Sequence, residues 1–339
     1  MTTARIGLMG FGRIGRNVFR LLHNRDDLDI VAIADISDPA ALTYLLKYDS
    51  IYGRFPTEIE YKDGGLHYGG KHVSFRDSKT PADTVWGEDD VDIVLDTTSR
   101  YRSAESLQGH LDRGASNVVL TSSPEKPGEI PLLLWGINDS ILNDRPAIVA
   151  LGSNTSNAAA PILRILDEAF TLTRVYMTVV KAMSNAGRLA DVPTEAYRTS
   201  RAAGENIIPA ETNSADIITQ VLPELTGKLI VTALNVPVPD GSTVDMVAET
   251  VDKVTENEVN DVVKGQVSEK YSNVIEYVAD PIVSSDVRLN SHSGIYDSLA
   301  TMVTGDNMVK TITWFNNGWG YSHRVVETAA VIAARGGSR

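Results

Sequence analysis

Residues 4–35 read ARIGLMGFGRIGRNVFRLLHNRDDLDIVAIAD. Two apolar runs, ARIGLM and LDIVAIAD, flank RIGRNVFRLLHNR, whose apolar residues recur at helical spacing, so the order is strand, turn, helix, strand. The turn is Gly10-Phe11-Gly12-Arg13-Ile14-Gly15, a G-x-G-x-x-G pattern. In that pattern the first glycine makes the turn, the second lets a pyrophosphate approach the backbone, and the third lets the helix pack close to the strand. Asp35 ends the second strand about 20 residues beyond Gly15, where a carboxylate binds the ribose hydroxyls of NAD and repels the extra phosphate of NADP. A glycine turn needed only for packing would explain the glycines but not the acid. The reading is a dinucleotide site with NAD as cofactor.

The same alternation continues outward. A helix is expected at 38–49, with Pro39 in its first turn, and hairpin turns at Gly64-Gly65 and Gly69-Gly70. Strands are expected at 91–98, 117–123 and 131–137, with a helix at 103–114 between the first two. Strands alternating with helices predict a mostly parallel, doubly wound α/β sheet. Beyond Ser153 the texture changes to long alternating strands at 173–183, 228–239, 242–251, 273–280 and 308–315, typical of a mixed or antiparallel sheet. A helix near 255–271 interrupts them and another closes the chain. Two domains follow: residues 1–153 with a C-terminal helix 322–339 packing back on them, and residues 154–321 as the catalytic domain.

The 339 residues suffice for two cores. A net charge of −13 argues against nucleic acid and against an anionic membrane surface, since both need clustered Lys and Arg. The chain has no cysteine, which removes disulfides, thiolate metal sites and thiol nucleophiles together. No HxxxH, HExxH or acidic cluster points to a metal. The N-terminus enters a strand without a leader-like apolar run, and a cytoplasmic protein is expected.

Over essentially its whole length the chain resembles the phosphorylating glyceraldehyde-3-phosphate dehydrogenase family. The matching blocks are GFGRIGRNVFR (10–20), LLKYDSIYGRF (45–55), NIIPAET (206–212), LPELTGKL (222–229), VPVPDGSTVDM (236–246), SSD (284–286) and WFNNGWGYSHRV (314–325). The resemblance implies a Rossmann NAD-binding domain, an α+β catalytic domain with a mixed sheet, NAD, a small-molecule substrate and a homotetramer. It places Asn317 at the nicotinamide carboxamide and Tyr321 near the ring. Arg76 with Asp77, Thr98 and Thr121 fall along the adenine and ribose path. Gly318 stands where the family usually has an acid.

The family's catalytic signature, S-C-T-T-N-C-x-A-P, falls on SNTSNAAAP (153–161). Its nucleophilic cysteine falls on Asn154 and its catalytic histidine on Lys181. Thr155, Ser184, Arg201 and Thr212 match residues that hold the family's two phosphates. However, Asn235 replaces an arginine, Asn213 a glycine, and Glu211 adds a carboxylate. A thioester route is therefore not expected, and a doubly phosphorylated ligand fits poorly.

A lysine facing a nicotinamide can carry the proton that accompanies hydride transfer, form a Schiff base, or act as a counter-charge. Asn154 beside it could polarise a carbonyl through its NH2 group. The plain alternative pairs Lys181 with a carboxylate such as Glu211 and leaves Asn154 as a helix cap. His292 and His323 are the other titratable candidates nearby. The expected function is direct hydride transfer to or from a small polar carbonyl/alcohol or imine/amine. Its rivals are a catalytically silent NAD-binding regulatory or partner protein, and a non-redox lysine enzyme that holds NAD.

Overall fold

A computed structural model describes residues 3–185 and 187–336. The chain forms two compact units, residues 1–133, 139–152 and 322–339 in one and residues 134–138 and 153–321 in the other. The last three residues of the expected C-terminal helix lie outside the described residues.

In the first unit, Ala4–Met9 sits between Leu28–Asp35 and Ile93–Asp96, and all three run parallel. The sheet continues on one side through Asn117–Leu120 and Ile148–Ala150. On the other side come Lys71–Asp77 and the antiparallel strands Gly65–Tyr68 and Ile59–Lys62. Strand order reverses between Ala4–Met9 and Ile93–Asp96, and a crevice at the carboxyl ends of such strands is where open α/β sheets bind ligands. Ile6, Leu8, Ala32, Ile33 and Val94 are fully buried, as continuous apolar strands require when covered on both faces. The helix Pro39–Lys47 starts where expected, with Asp38 accepting from the N–H groups of Ala40 and Ala41.

The second unit carries a mixed sheet in the order Ile208–Ala210, Leu229–Asn235, Leu172–Lys181, Ser242–Thr250, Met308–Phe315, Gly294–Thr304, Ile275–Val278. Strict alternation of buried and partly exposed residues along Ser242–Thr250 marks one face as core. That face receives the helix Asn154–Phe170 through Ala159, Ile162, Leu163 and Leu166, against Val175, Met177, Val244 and Met246.

Two stretches depart from the sequence reading. Residues 131–137 contribute one bridge, Leu132 to Ala150, and then turn, with Gly136 at φ 81° and Asn138 Oδ1 accepting from Leu134 N–H at 2.9 Å. The strand Gly294–Thr304 is not apparent in the sequence, because its register slips between Asp297 and Met302 and the bulge interrupts the alternation.

Candidate active site

The glycine turn of the first unit has the expected backbone at Gly10 and the expected close packing at Gly15. Gly10 has φ 87°, open to glycine at little cost, and a Cβ on Gly15 would lie 2.4 Å from Gly10 O. A Cβ on Gly12 would meet nothing within 4 Å, so space remains over the first turn of the helix Arg13–Leu22. No side chain caps that helix at Gly12, and the N-terminus of a helix favours an anion. A cavity of about 260 Å³ follows, lined among others by Gly10, Gly12, Asp35, Thr98, Lys79 and Arg100. Asp35 accepts from Phe11 N–H at 2.7 Å and Ser37 N–H at 2.8 Å, which fixes the carboxylate on the wall with lone pairs left for a ribose diol.

Arg76 and Thr121 lie outside this lining. Glu88 and Asp89 take the Arg76 guanidinium at 2.6 and 2.7 Å, and Thr121 Oγ1 donates to Asp96 O at 2.9 Å. Ser78, Lys79, Arg100 and Tyr101 line the cavity without having been marked by any motif.

In the second unit, Ser153 caps the helix Asn154–Phe170 in a reciprocal arrangement with Ser156. A cavity of about 400 Å³ opens beside this end, lined by Ser153, Asn154, Thr155, Lys181, Glu211, Thr212, Asn213 and Ser214. Lys181 is the last residue of Leu172–Lys181 and sits in register with Asn235. Among the described residues no carboxylate lies within 4.0 Å of its ammonium, and Glu211 forms no ion pair with it. Burial holds the Lys181 amine below the usual lysine range. Thr155 Oγ1 is buried without a hydrogen-bond partner.

Asn154 is more tied down than a free polariser would be. Its Nδ2 donates to Asn317 O at 3.0 Å and its Oδ1 accepts from Thr155 N–H at 2.8 Å, leaving one amide hydrogen and its own backbone N–H. Ser242 completes the web: its Oγ accepts from Ala182 N–H at 2.9 Å and donates to Asn317 Oδ1 at 2.5 Å. The strand end that carries Lys181 is thereby joined to the helix start that carries Asn154. Ser242 lies inside VPVPDGSTVDM (236–246), yet nothing in its sequence context marks it as part of the site.

The remaining predicted residues fall elsewhere. Ser184, Arg201 and Asn235 line a separate cavity of about 450 Å³. Arg201 is paired there with Asp191 at 3.0 Å, and the N–H of Ala202 together with this guanidinium holds the Asp191 carboxyl below its usual range. Tyr321 is buried, which pushes its phenol above the usual tyrosine range. His292 is held by Asn290 and by Ser272 O.

A reversed strand order above the helix start at Gly12, with the Asp35 carboxylate on the cavity wall, is the arrangement of a dinucleotide-binding α/β domain. Comparison with known proteins gives the family. Residues 4–104 match "Glyceraldehyde 3-phosphate dehydrogenase, NAD binding domain", and residues 153–317 match "Glyceraldehyde 3-phosphate dehydrogenase, C-terminal domain". Glyceraldehyde-3-phosphate dehydrogenase of Geobacillus stearothermophilus is 39% identical over 333 residues, covering 98% of this chain and 99% of the relative. The Kitasatospora aureofaciens enzyme of that name is 40% identical over 333 residues, with the same coverage. Glyceraldehyde-3-phosphate dehydrogenase 2 of Bacillus subtilis is 38% identical over 331 residues, covering 98% and 97%. The chain belongs to the glyceraldehyde-3-phosphate dehydrogenase family.

Proposed function

We propose that this family member works without a thioester, by direct hydride transfer to or from a small polar carbonyl/alcohol or imine/amine substrate. The observation that carries the reading is Lys181: a partly buried amine, clear of carboxylates among the described residues, lining one cavity with Asn154 in a chain with no thiol. NAD, held by the glycine turn (10–15) and Asp35, would supply or accept the hydride. Lys181 Nζ gives a proton to the substrate oxygen or nitrogen in reduction and takes it back in oxidation, a role suited to an amine whose proton affinity is lowered by burial. The remaining amide hydrogen of Asn154 orients the substrate heteroatom, while its other contacts hold the helix start and the Asn317 carbonyl in place. Thr155 and Thr212 supply hydroxyls to the polar part of the substrate.

The relatives are named for oxidation of glyceraldehyde 3-phosphate. Carrying out that phosphorylating reaction through an acyl-enzyme needs a nucleophile, and an amide nitrogen at position 154 is not one. Purified protein given glyceraldehyde 3-phosphate, NAD and inorganic phosphate is therefore expected to form no NADH above the blank. Sustained NADH and acyl phosphate formation would overturn the proposal.

A further inference from the structure

The first unit buries a chain of polar groups that lies behind the nucleotide cavity. Trp86, Asp96 and His110 have no exposure at all. Trp86 Nε1–H donates to His110 Nδ1 at 2.9 Å, and His110 Nε2 lies 3.3 Å from Asp96 Oδ2. An indole nitrogen only donates, so His110 Nδ1 accepts and the ring proton sits on Nε2, toward the carboxylate. The other oxygen, Asp96 Oδ1, accepts from Thr98 N–H at 2.9 Å and from Thr98 Oγ1–H at 2.7 Å.

Thr98 is a wall of the nucleotide cavity, and the backbone just beyond it is strained. Ser99 has φ 56°, a left-handed conformation unfavourable for a residue with a Cβ, and Arg100 N–H closes the turn onto Thr98 Oγ1 at 3.1 Å. The turn also presses on the glycine loop. A Cβ on Gly10 would lie 3.0 Å from Thr98 Cγ2, and Thr97 Oγ1 donates to Gly10 O at 2.7 Å. Any movement of residues 96–100 moves the cradle.

We propose that Trp86 and His110 are positioning residues for cofactor binding. Trp86 fixes the tautomer of His110, His110 fixes Asp96, and Asp96 holds the Thr98–Ser99 turn in the shape the nucleotide requires. The inference rests on the 260 Å³ cavity being the NAD site.

The tautomer logic makes a double-mutant test with a definite sign. Asp96→Asn keeps an oxygen for Thr98 but turns an NH2 group toward His110 Nε2–H, so two donors face each other. His110 cannot reverse its tautomer, because Trp86 N–H already faces Nδ1. Trp86→Phe keeps an aromatic ring and removes that N–H, so in the double variant His110 can reverse and accept from the amide that D96N supplies. NAD Kd of the full chain, measured by calorimetry with melting curves alongside, is expected to weaken about tenfold or more in D96N, as an unsatisfied buried donor implies. W86F alone should weaken binding by less than D96N does, because Asp96 still draws the His110 proton to Nε2, and D96N/W86F should return to within about threefold of W86F. A double variant weaker than D96N, or D96N with wild-type affinity, would overturn the relay. Absence of NAD binding by the wild type would instead overturn the cavity assignment. If D96N does not fold, selective 15N-histidine spectra of the wild type decide: a proton on His110 Nε2 supports the proposal, and one on Nδ1 refutes it.

Discussion

Replacing Gly12 with alanine separates binding from folding. Gly12 precedes the helix Arg13–Leu22 with φ −72° and ψ −156°, backbone that alanine adopts without strain, and its Cβ would meet nothing within 4 Å. Alanine loses roughly 0.5–1 kcal/mol as a cap and gains about 0.4–1 kcal/mol by restricting the unfolded chain, so stability should stay within about 0.5 kcal/mol of wild type. The space it fills is the one that the proposed dinucleotide's pyrophosphate would occupy at the helix start. Displacing one charge-assisted hydrogen bond costs about 1.5–3 kcal/mol, or roughly 10–150-fold in Kd for NAD. Gly15→Ala is the contrasting variant: its Cβ would lie 2.4 Å from Gly10 O, a backbone atom that cannot swing aside. Overpacking of that kind costs about 1–3 kcal/mol in stability as well as affinity. Calorimetric titration with NAD and nucleotide-free melting curves read both quantities. G12A binding NAD within about twofold of wild type would refute the cradle, and G15A melting like wild type would refute the packing role of the third glycine.

Three further outcomes are expected. Asn316→Ala should cost about 3 kcal/mol in denaturant unfolding, because the buried Asn316 amide holds Asp240 Oδ2 at 2.7 Å and caps Gly318 and Trp319 at 2.8 and 2.5 Å. Ser153→Ala removes the cap of Asn154–Phe170 and should lower stability by about 1 kcal/mol in the same measurement. Burial lowers the folded-state pKa of Lys181 below its unfolded value of about 10.4, so the folded chain binds fewer protons between the two values and stability rises with pH across that window. Lys181→Met should therefore melt higher than wild type at pH ~7, with the gap narrowing toward pH ~10.5, while turnover on the true substrate falls at least ~100-fold. A gap that widens with pH would contradict the sign.

The nucleotide end is legible from sequence because its requirements are local. Gly10 is dictated by a turn and Gly15 by a close approach within one βαβ unit, and Asp35 ends the next strand. Arg76 shows the limit: its sequence position does not reveal that Glu88 and Asp89 take its guanidinium. The cavity beside Asn154 and Lys181 is legible only in part. Asn154, Thr155, Lys181, Glu211 and Thr212 share it, but Arg201, Ser184 and Asn235 line another, since a loop pairs Arg201 with Asp191. Ser242 and the Asn154–Asn317 contact are long-range hydrogen bonds, which no periodicity or spacing encodes. The strand Gly294–Thr304 is obscured for a different reason, the bulge that breaks its alternation.

Direct hydride transfer is tested most directly by isotope tracing. NADH deuterated at the transferred position is incubated with the protein and a metabolite extract, with Lys181→Ala in parallel, and small molecules are searched by mass spectrometry for protein-dependent deuterium. The expected result is one labelled small molecule, formed by the wild type and lost in the variant. No label despite demonstrated NADH binding would contradict it and leave a catalytically silent nucleotide-binding protein, while label that persists in Lys181→Ala would remove the lysine from the chemistry.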